Sequence, residues 1–259
     1  MNILLNPFVV FLKKPVMLAA LLCTSYALTA QSLSSKYEVG LNGGVLIYQG
    51  DLTPTATGSF KTLKPVFSIY GTRILNNSFS IRLNLLHGKL KGDDGKYENP
   101  SWRQQRNFNF TSPVTEISGL FIWNVIGLRP NDAGIVNFTP YLFAGAGFSF
   151  LKIKRDWSNF NYTHFSAEPG IINGLVEDIS RSMPKAIPVI PFGIGVRYGI
   201  SEKLSFTLES AYRITFTDYL DGFSKAANPE LSDHYHSHTI GLIYTFSRNS
   251  NMDCPVIKN

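Results

Sequence analysis

Apolar and polar residues alternate with a period of two along residues 191–222, which is typical of β-strands and not of helices. One face of this stretch is apolar and carries Phe192, Ile194, Val196, Tyr198, Ile200, Leu204, Phe206 and Leu208. The other face combines glycines with polar side chains, among them Arg197, Glu209, Arg213 and Thr217. The polar residues 201–203 separate the two halves, so the pattern predicts two strands joined by a tight hairpin.

The length of these strands separates two interpretations of the pattern. A soluble sandwich would bury the apolar face, whereas a membrane barrel turns that face toward lipid and encloses the polar one. Each strand spans about eleven residues, which matches a tilted crossing of a bilayer and exceeds the roughly five or six residues usual in soluble sheets. The hairpin therefore favours a membrane barrel with a polar, charge-paired lumen.

The same alternation recurs along the chain and predicts about eight strands. Further strands are expected from Lys36 onward, at residues 64–75, 78–90, 108–127 and 138–154, and after a loop at 218–236. The fourth is interrupted near Pro113, and residues 155–187 form the longest loop. Long and short connections alternate, as in bacterial barrels. The sequence thus predicts an all-β fold, an eight-stranded antiparallel transmembrane β-barrel of the outer membrane with long extracellular loops and short periplasmic turns.

Composition agrees with a membrane protein built from strands. Only 16% of the 259 residues are charged, against about a quarter in soluble proteins. Outside the N-terminus no run of about eighteen apolar residues occurs, which excludes a helical membrane protein. The net charge of +6 comes from scattered lysines and arginines, so no nucleic-acid partner is expected. No cofactor is expected either.

Both ends of the chain differ from the barrel pattern. Lys13 and Lys14 precede an apolar run, and a small-residue site ends at Ala30, which predicts an export signal over residues 1–30. A lipid anchor at Cys23 is the less favoured alternative, because the leucine before it is too large for a lipobox. The barrel is expected at 31–247, followed by a periplasmic tail at 248–259. Cleavage leaves Cys254 as the single cysteine, so no internal disulfide forms.

Charged residues on the polar faces of the strands are expected to meet inside the barrel. An eight-stranded barrel has no aqueous channel, and an unpaired charge in its closed lumen is costly. The predicted network consists of Arg82, Glu116, Arg197, Glu209 and Arg213. Structural pairing is favoured over a proton or ion path.

Four segments resemble a known family: YQGDL (residues 48–52), FTPYLFAGAG (138–147), IPFGIGVRYGISEKLSF (190–206) and YRITFTDYLDG (212–222). They are similar to the PorG-like outer-membrane barrels of Bacteroidetes, which are associated with the type 9 secretion system. The most specific part of the resemblance is the strand-end motif of Thr217, Asp218, Tyr219, Leu220, Asp221 and Gly222. The resemblance implies a barrel without catalytic residues, whose partners are outer-membrane lipids and a periplasmic ring lipoprotein with its partner subunit. By its spacing the motif is expected to form an Asx-type turn at the barrel rim.

If the barrel anchors such a ring, the contact surface should be periplasmic. The candidate contact residues are Asn76, Asn77, Glu202, Lys203 and Cys254, together with the connection at residues 128–137. The alternative is a structural or adhesive barrel that acts through its long outer loops.

A third and less favoured alternative is a hydrolase at the outer rim. His164, Ser166, Asp178 and Ser180 share one loop, but their spacing identifies no nucleophile and base. The histidines 234, 236 and 238 could face one way and hold a metal, although solvated imidazoles are the commoner explanation. Neither enzyme activity nor a metal site is therefore expected.

Overall fold

The computed structural model describes residues 37–55, 57–128, 138–230 and 232–246. Eight long strands cross the molecule: β1 (Tyr37–Gln49), β2 (Lys64–Ile74), β3 (Phe79–Asp93), β4 (Asn109–Asn124), β5 (Phe138–Leu151), β7 (Ala186–Gly199), β8 (Leu204–Thr215) and β9 (His234–Phe246). A three-residue strand, β6 (Lys154–Asp156), extends the edge of β5 and pairs with β4. In the described part of the chain, no helix has the length and apolar character needed to cross a membrane.

The eight long strands form one closed antiparallel sheet. Each pairs with its neighbours in the order β3-β2-β1-β9-β8-β7-β5-β4, and pairing between β3 and β4 closes the ring. The first and last strands pair along their full length, from Tyr37 opposite Phe246 to Gln49 opposite His234. The closed eight-stranded barrel predicted from the sequence is confirmed, and closure leaves no long strand with an open edge.

The two faces of the barrel wall have opposite character. Outward side chains are apolar and exposed, as in Leu83 and Phe67, each with 66% of its surface accessible. Inward side chains include buried charges such as Glu116, Arg82 and Arg213. This order inverts that of a soluble protein, and only a surrounding bilayer satisfies it. The protein is therefore a transmembrane barrel of the outer-membrane type.

Two strands differ from the prediction. β4 runs through Pro113 without interruption, because the proline loses only its own donor while its carbonyl accepts the Lys152 N–H at 3.4 Å. β9 begins at His234, so His234 and His236 belong to the strand and not to the preceding loop. The three residues 234–236, predicted to lie in the loop before the last strand, are thus part of the barrel wall, since alternation alone does not fix where a strand emerges from its loop.

The outer loops contain regular structure that the sequence interpretation treated as loop. The connection between β3 and β4 holds a short helix, α1 (Trp102–Arg106), and that between β5 and β7 holds α2 (Pro169–Ser180). Short 3₁₀ turns lie at Phe60–Thr62, Asp94–Lys96 and His164–Ala167. Together these segments fold into a cap over the extracellular end of the barrel.

The extracellular half of the barrel is filled by apolar side chains, so the prediction of a polar lumen is wrong for that half. Residues from the strands, such as Leu90, Phe110 and Val114, pack against residues from the loops, such as Phe165 and Phe223. The ring of Phe108 stacks on that of Phe223 with 4.2 Å between centroids. The loops thus supply a conventional apolar core that closes the outer mouth of the barrel.

The predicted signal segment (1–30) and periplasmic tail (248–259) lie outside the described residues. Cys254 and most of the connection at 128–137 lie outside them as well.

Leu83 and His87 occupy the same outward face of β3 at different depths and provide a matched test of the lipid-facing wall. We expect Leu83→Arg to lower the free energy of unfolding by about 2–4 kcal/mol, since Leu83 lies within the apolar belt. His87→Arg, near the extracellular end of that belt, should cost less than about 1 kcal/mol. The measurement is reversible urea unfolding in lipid vesicles, and equal effects of the two variants would contradict the assignment.

Candidate functional site

The lumen holds three separate ion pairs. Two of them lie toward its periplasmic end, and the third, between Arg213 and Glu116, lies level with the middle of β4. The most buried joins Arg213 Nε to Glu116 Oε2 at 2.7 Å, with both side chains almost fully enclosed. Tyr235 donates its hydroxyl to the same carboxylate oxygen at 3.0 Å, and Ser118 donates to the other oxygen at 3.0 Å. Arg213 in turn donates to the hydroxyl of Ser237 at 2.8 Å. Both oxygens of Glu116 and the Nε and Nη1 atoms of Arg213 thus have partners.

The second ion pair joins β3 to β8 across the lumen. Arg82 Nη1 and Glu209 Oε1 are 2.5 Å apart, and the hydroxyl of Tyr141 donates to the same oxygen at 2.5 Å. Asn42 donates its amide to the other oxygen at 3.0 Å. The guanidinium of Arg82 also lies over the ring of Tyr70, 3.9 Å from its centroid. Five strands therefore contribute to the surroundings of one charge pair, which fixes their relative positions.

The third pair includes a residue that the sequence interpretation omitted. Arg197 Nη2 lies 2.6 Å from Glu38 Oε1, and Thr245 donates its hydroxyl to that oxygen at 3.0 Å. Glu38 is only 4% exposed, and it lies on the same inward face of β1 as Gly40 and Asn42. That parity was the signal that would have identified it.

All five predicted lumen residues therefore face inward, but they form separate pairs and not one network. With the apolar core above them, the described residues leave no continuous polar path from one mouth of the barrel to the other. The arrangement is suited to hold strands in register and not to conduct.

At the extracellular end of the barrel, the segment 217–222 contacts the segment 48–52. The hydroxyl of Tyr48 in the YQGDL segment lies 2.7 Å from Asp221 Oδ2 and 2.6 Å from Asp233 Oδ1. Asp221 also accepts the N–H of Phe223 at 2.8 Å, an Asx-turn contact, and Asp233 accepts that of Leu220 at 3.0 Å. Two motif segments far apart in sequence thus form one buried cluster.

This cluster holds at least one extra proton. A tyrosine hydroxyl has a single hydrogen and can donate to only one of the two carboxylates, so the second short contact needs a proton on Asp221 or Asp233. Complete burial raises the pKa of both carboxyls well above their usual range, and the charge of Asp233 raises the pKa of Asp221 further.

Two neighbouring carboxyls share this behaviour. Burial raises the pKa of Asp51 to about 7, although the N–H of Asn228 opposes the shift by donating to its carboxylate. Burial likewise raises the pKa of Asp218, in the motif, to about 6. The outer mouth thus contains a group of carboxyls that favour their protonated forms.

Two other buried aspartates, Asp94 and Asp178, accept several hydrogen bonds within and between the outer loops. Asp94 accepts from Arg103 Nη1 at 2.7 Å and from Arg106 Nε at 2.6 Å, and both arginines also donate to the carbonyl of Asp51 at 3.1 Å. Asp178 in α2 accepts the N–H groups of Ser224 and Ala226 at 3.1 and 2.9 Å. These contacts tie the outer loops together in two pairs, and the N–H of Asn228, which donates to Asp51, joins one pair to the other. Each aspartate satisfies several donors at once.

The residues of the rim-hydrolase alternative are not assembled into a site. Asp178 is buried in the contacts just described, and the hydroxyls of Ser166 and Ser180 donate to nearby helix carbonyls at 2.9 and 2.7 Å. His164 is exposed on the loop surface. The three histidines of β9 face the outside of the barrel, and no group of three or more metal-binding side chains is found among the described residues.

The predicted periplasmic contact residues lie at the tight turns. Asn76 Oδ1 accepts the N–H groups of Ser78 and Phe79 at 2.9 and 2.8 Å and thereby shapes the first turn. Asn77 accepts the N–H of Leu128 through its carbonyl at 2.6 Å. Glu202 and Lys203 are exposed at the turn between β7 and β8.

Comparison with known proteins identifies a family but no function. A family model, DUF6089, described as a domain of unknown function, matches residues 14–254, and the chain belongs to that family. A search of curated protein sequences finds no significant match.

Among solved structures, similar ones are outer-membrane barrels. Ail, the attachment invasion locus protein of Yersinia pestis, in complex with the heparin analogue sucrose octasulfate, is 9% identical over 83% of this chain and 100% of that chain, with a TM-score of 0.41. Neisserial surface protein A is 13% identical over 81% and 97% of the two chains, with a TM-score of 0.41. OprG of Pseudomonas aeruginosa is 10% identical over 82% and 96%, with a TM-score of 0.39. Similarities this low carry no argument about function.

The raised carboxyl pKa values predict that the protein loses stability as pH rises. An unfolded Asp releases its proton near its ordinary pKa of 3.8, whereas folded Asp218 and Asp51 keep theirs until about pH 6 and 7. Folding therefore binds protons between about pH 4 and 7, and stability falls across that range. Asp51→Asn should flatten the fall, while Asp156→Asn at the exposed β6 should not. Thermal unfolding from pH 4 to 8 measures both, and a stability that rises with pH would contradict the assignment.

For the Arg213–Glu116 pair, we expect removal of one charge to lower the free energy of unfolding strongly and removal of both charges to lower it only slightly. Glu116→Ala leaves a buried arginine without its counter-ion and should cost about 3–5 kcal/mol. Glu116→Leu combined with Arg213→Met removes both charges and should recover most of that loss. Urea unfolding in lipid vesicles gives the two free energies. If the single variant costs less than about 1 kcal/mol, the lumen pairs do not stabilise the barrel.

Proposed function

We propose that this DUF6089 barrel is a non-enzymatic outer-membrane anchor that holds a periplasmic ring of the type 9 secretion system, through a ring lipoprotein and its partner subunit. The observation that carries the proposal is the sealed barrel. A lumen filled by ion pairs below and an apolar core above offers no route for transport, so the function lies at the two ends or on the wall.

The resemblance to the PorG-like barrels of Bacteroidetes supports the choice of partner. Its most specific segment, which contains Asp221, contacts the YQGDL segment directly, with 2.7 Å between the Tyr48 hydroxyl and Asp221 Oδ2. Loss of either segment would leave buried polar groups of the other without these partners. The contact between Tyr48 and Asp221 supports the resemblance to the PorG-like barrels, and through that resemblance it supports the anchoring role.

The periplasmic end supports anchoring by its geometry. Its described turns are short and fixed by hydrogen bonds within and between them, such as Asn76 to Phe79 and Asn77 to Leu128. A rigid surface loses little conformational entropy when a partner binds. Glu202 and Lys203 present exposed charges of both signs at one of these turns.

The second candidate function is an adhesive barrel that acts through the cap. One observation favours it: α2 exposes apolar side chains above the membrane, with Val176 64% and Ile179 40% accessible. Loss of surface attachment in a Val176→Ser, Ile179→Ser variant, with the periplasmic turns unchanged, would select this function over the first.

Charge reversal at the periplasmic turn tests the anchoring proposal. We expect Glu202→Lys combined with Lys203→Glu to reduce co-purification of the ring lipoprotein at least tenfold, since like charges placed opposite each other at an interface are costly. Lys96→Glu in an extracellular loop is the matched control and should change nothing. The measurement is mild-detergent extraction followed by affinity purification and mass spectrometry. A wild-type barrel that purifies alone, or equal recovery with both variants, would argue against the anchoring role.

A further inference from the structure

One sector of the outer wall carries a ladder of lysines just above the apolar belt. The sector consists of β3, β4 and the extension of β5 through β6. The register sets Lys91 opposite Thr111 and Thr111 opposite Lys154. One step deeper, Lys89 lies opposite Pro113, whose carbonyl accepts the N–H of Lys152. Four lysines therefore occupy two neighbouring cross-strand rows.

The spacing of these rows places the four ammonium groups close together. Residues two apart on a strand are about 7 Å apart, and positions two strands apart are separated by about 10 Å. The side chains of Lys89, Lys152 and Lys154 are exposed and form no ion pair with the described residues, while Lys91 pairs with Asp93 at 3.2 Å. The four lysines thus border a patch of a size suited to one or two phosphate groups.

The rows follow depth in the membrane. Below the lysines lies a row with His87 opposite Thr115, joined by a 3.0 Å hydrogen bond, and below that the apolar row of Leu85, Ile117 and Phe148. Above the lysines lies an acidic row, with Asp93 and Asp156 on either side of Asn109. The positive rows therefore stand at headgroup height, directly above the side chains that face acyl chains.

Among the outward-facing strand positions at this end of the described barrel, lysines occur in this sector. Lys64 of β2 lies on the inward-facing side of its strand, and Lys185 precedes β7. At the same end of the barrel, the outward positions of the other described strands hold no lysine. They include Gln49 in β1, Pro65 in β2, Pro188 in β7, Tyr212 in β8 and the histidines of β9. A general interfacial belt of lysines would surround the barrel. Lysines gathered on three adjacent strands instead indicate one site.

We propose that these lysines bind the phosphorylated headgroup of an outer-leaflet lipid, with its acyl chains along the apolar rows below. Lysine is a common phosphate ligand and acts as a point charge, so two rows of ammonium groups accommodate phosphates without a fixed geometry. The apolar rows directly beneath favour a lipid over a soluble phosphate, because they bury chains attached to the headgroup. The acidic row sets the upper limit of the site by repelling phosphate.

Native mass spectrometry of the full-length barrel in mild detergent tests the proposal. The probes are bisphosphorylated lipid A and the same lipid without its phosphates. We expect the wild-type protein to retain the phosphorylated form at least tenfold more, and Lys89→Gln combined with Lys152→Gln to abolish most of that preference, at about fivefold per lysine. Arg73→Gln, an exposed outward residue of β2 at the periplasmic end, is the matched control and should behave as wild type.

Three results would overturn the proposal. The first is equal retention of the two lipids by the wild-type protein, which needs no variant. The second is a Lys89→Gln, Lys152→Gln protein that keeps the preference. The third is competition by inorganic pyrophosphate as effective as that by the lipid, which would assign the site to a free phosphate compound and not to a lipid.

Discussion

Backbone hydrogen bonding in a medium without water is the constraint on which this structure depends. A strand edge left open in hydrocarbon would expose N–H and C=O groups that nothing can satisfy, so the pairing of β3 with β4 is required for every other strand to lie where it does. Closure also fixes what each face must be. Once eight strands form a ring, one side chain in two faces lipid and the other faces a lumen too narrow for a water column.

The lumen meets this requirement in two different ways. Below, where the wall is polar, arginines and glutamates form pairs that also bond to tyrosine, serine and asparagine side chains, while Nε of Arg82 has no partner among the described residues. Above, the wall becomes apolar, and the loops fold inward to bury it. Buried aspartates at Asp94 and Asp178 then hold these loops together, so the cap is fixed by charge and the mouth is closed by apolar packing. A barrel built this way acts through its surfaces.

The sequence predicted the parts that depend on alternation and missed those that depend on contacts between loops. Period two along 191–222 was sufficient for the hairpin and for the direction of Arg197 and Glu209, and its recurrence along the rest of the chain was sufficient for the closed fold. The omission of Glu38 was avoidable, since Glu38 and Asn42 are four residues apart in β1 and therefore share its inner face. Helix α2 also left a signal, with Pro169 in its first turn and apolar residues at 172, 175 and 179.

The rest was not accessible from a local pattern. Asp94 gains its partners only when α1 folds beside it, and Tyr48 meets Asp221 across more than half of the chain. The apolar upper lumen was hidden because the two faces of β3 and β4 exchange character there: Leu90 and Phe110 point inward while Lys89 points outward. Alternation alone does not show which face is the inner one. The same limit applied to the lysine sector, which becomes visible only when the register aligns β3 with β4 and β6.

Electrical conductance of the purified barrel in a planar lipid bilayer tests the central claim, that the barrel is sealed, most directly. The structure predicts no steady ion current through the wild-type protein, because ion pairs and an apolar core fill the lumen of the described barrel. A stable open-channel current that scales with the number of inserted barrels would contradict it and would move the function from the surfaces of the barrel to its interior.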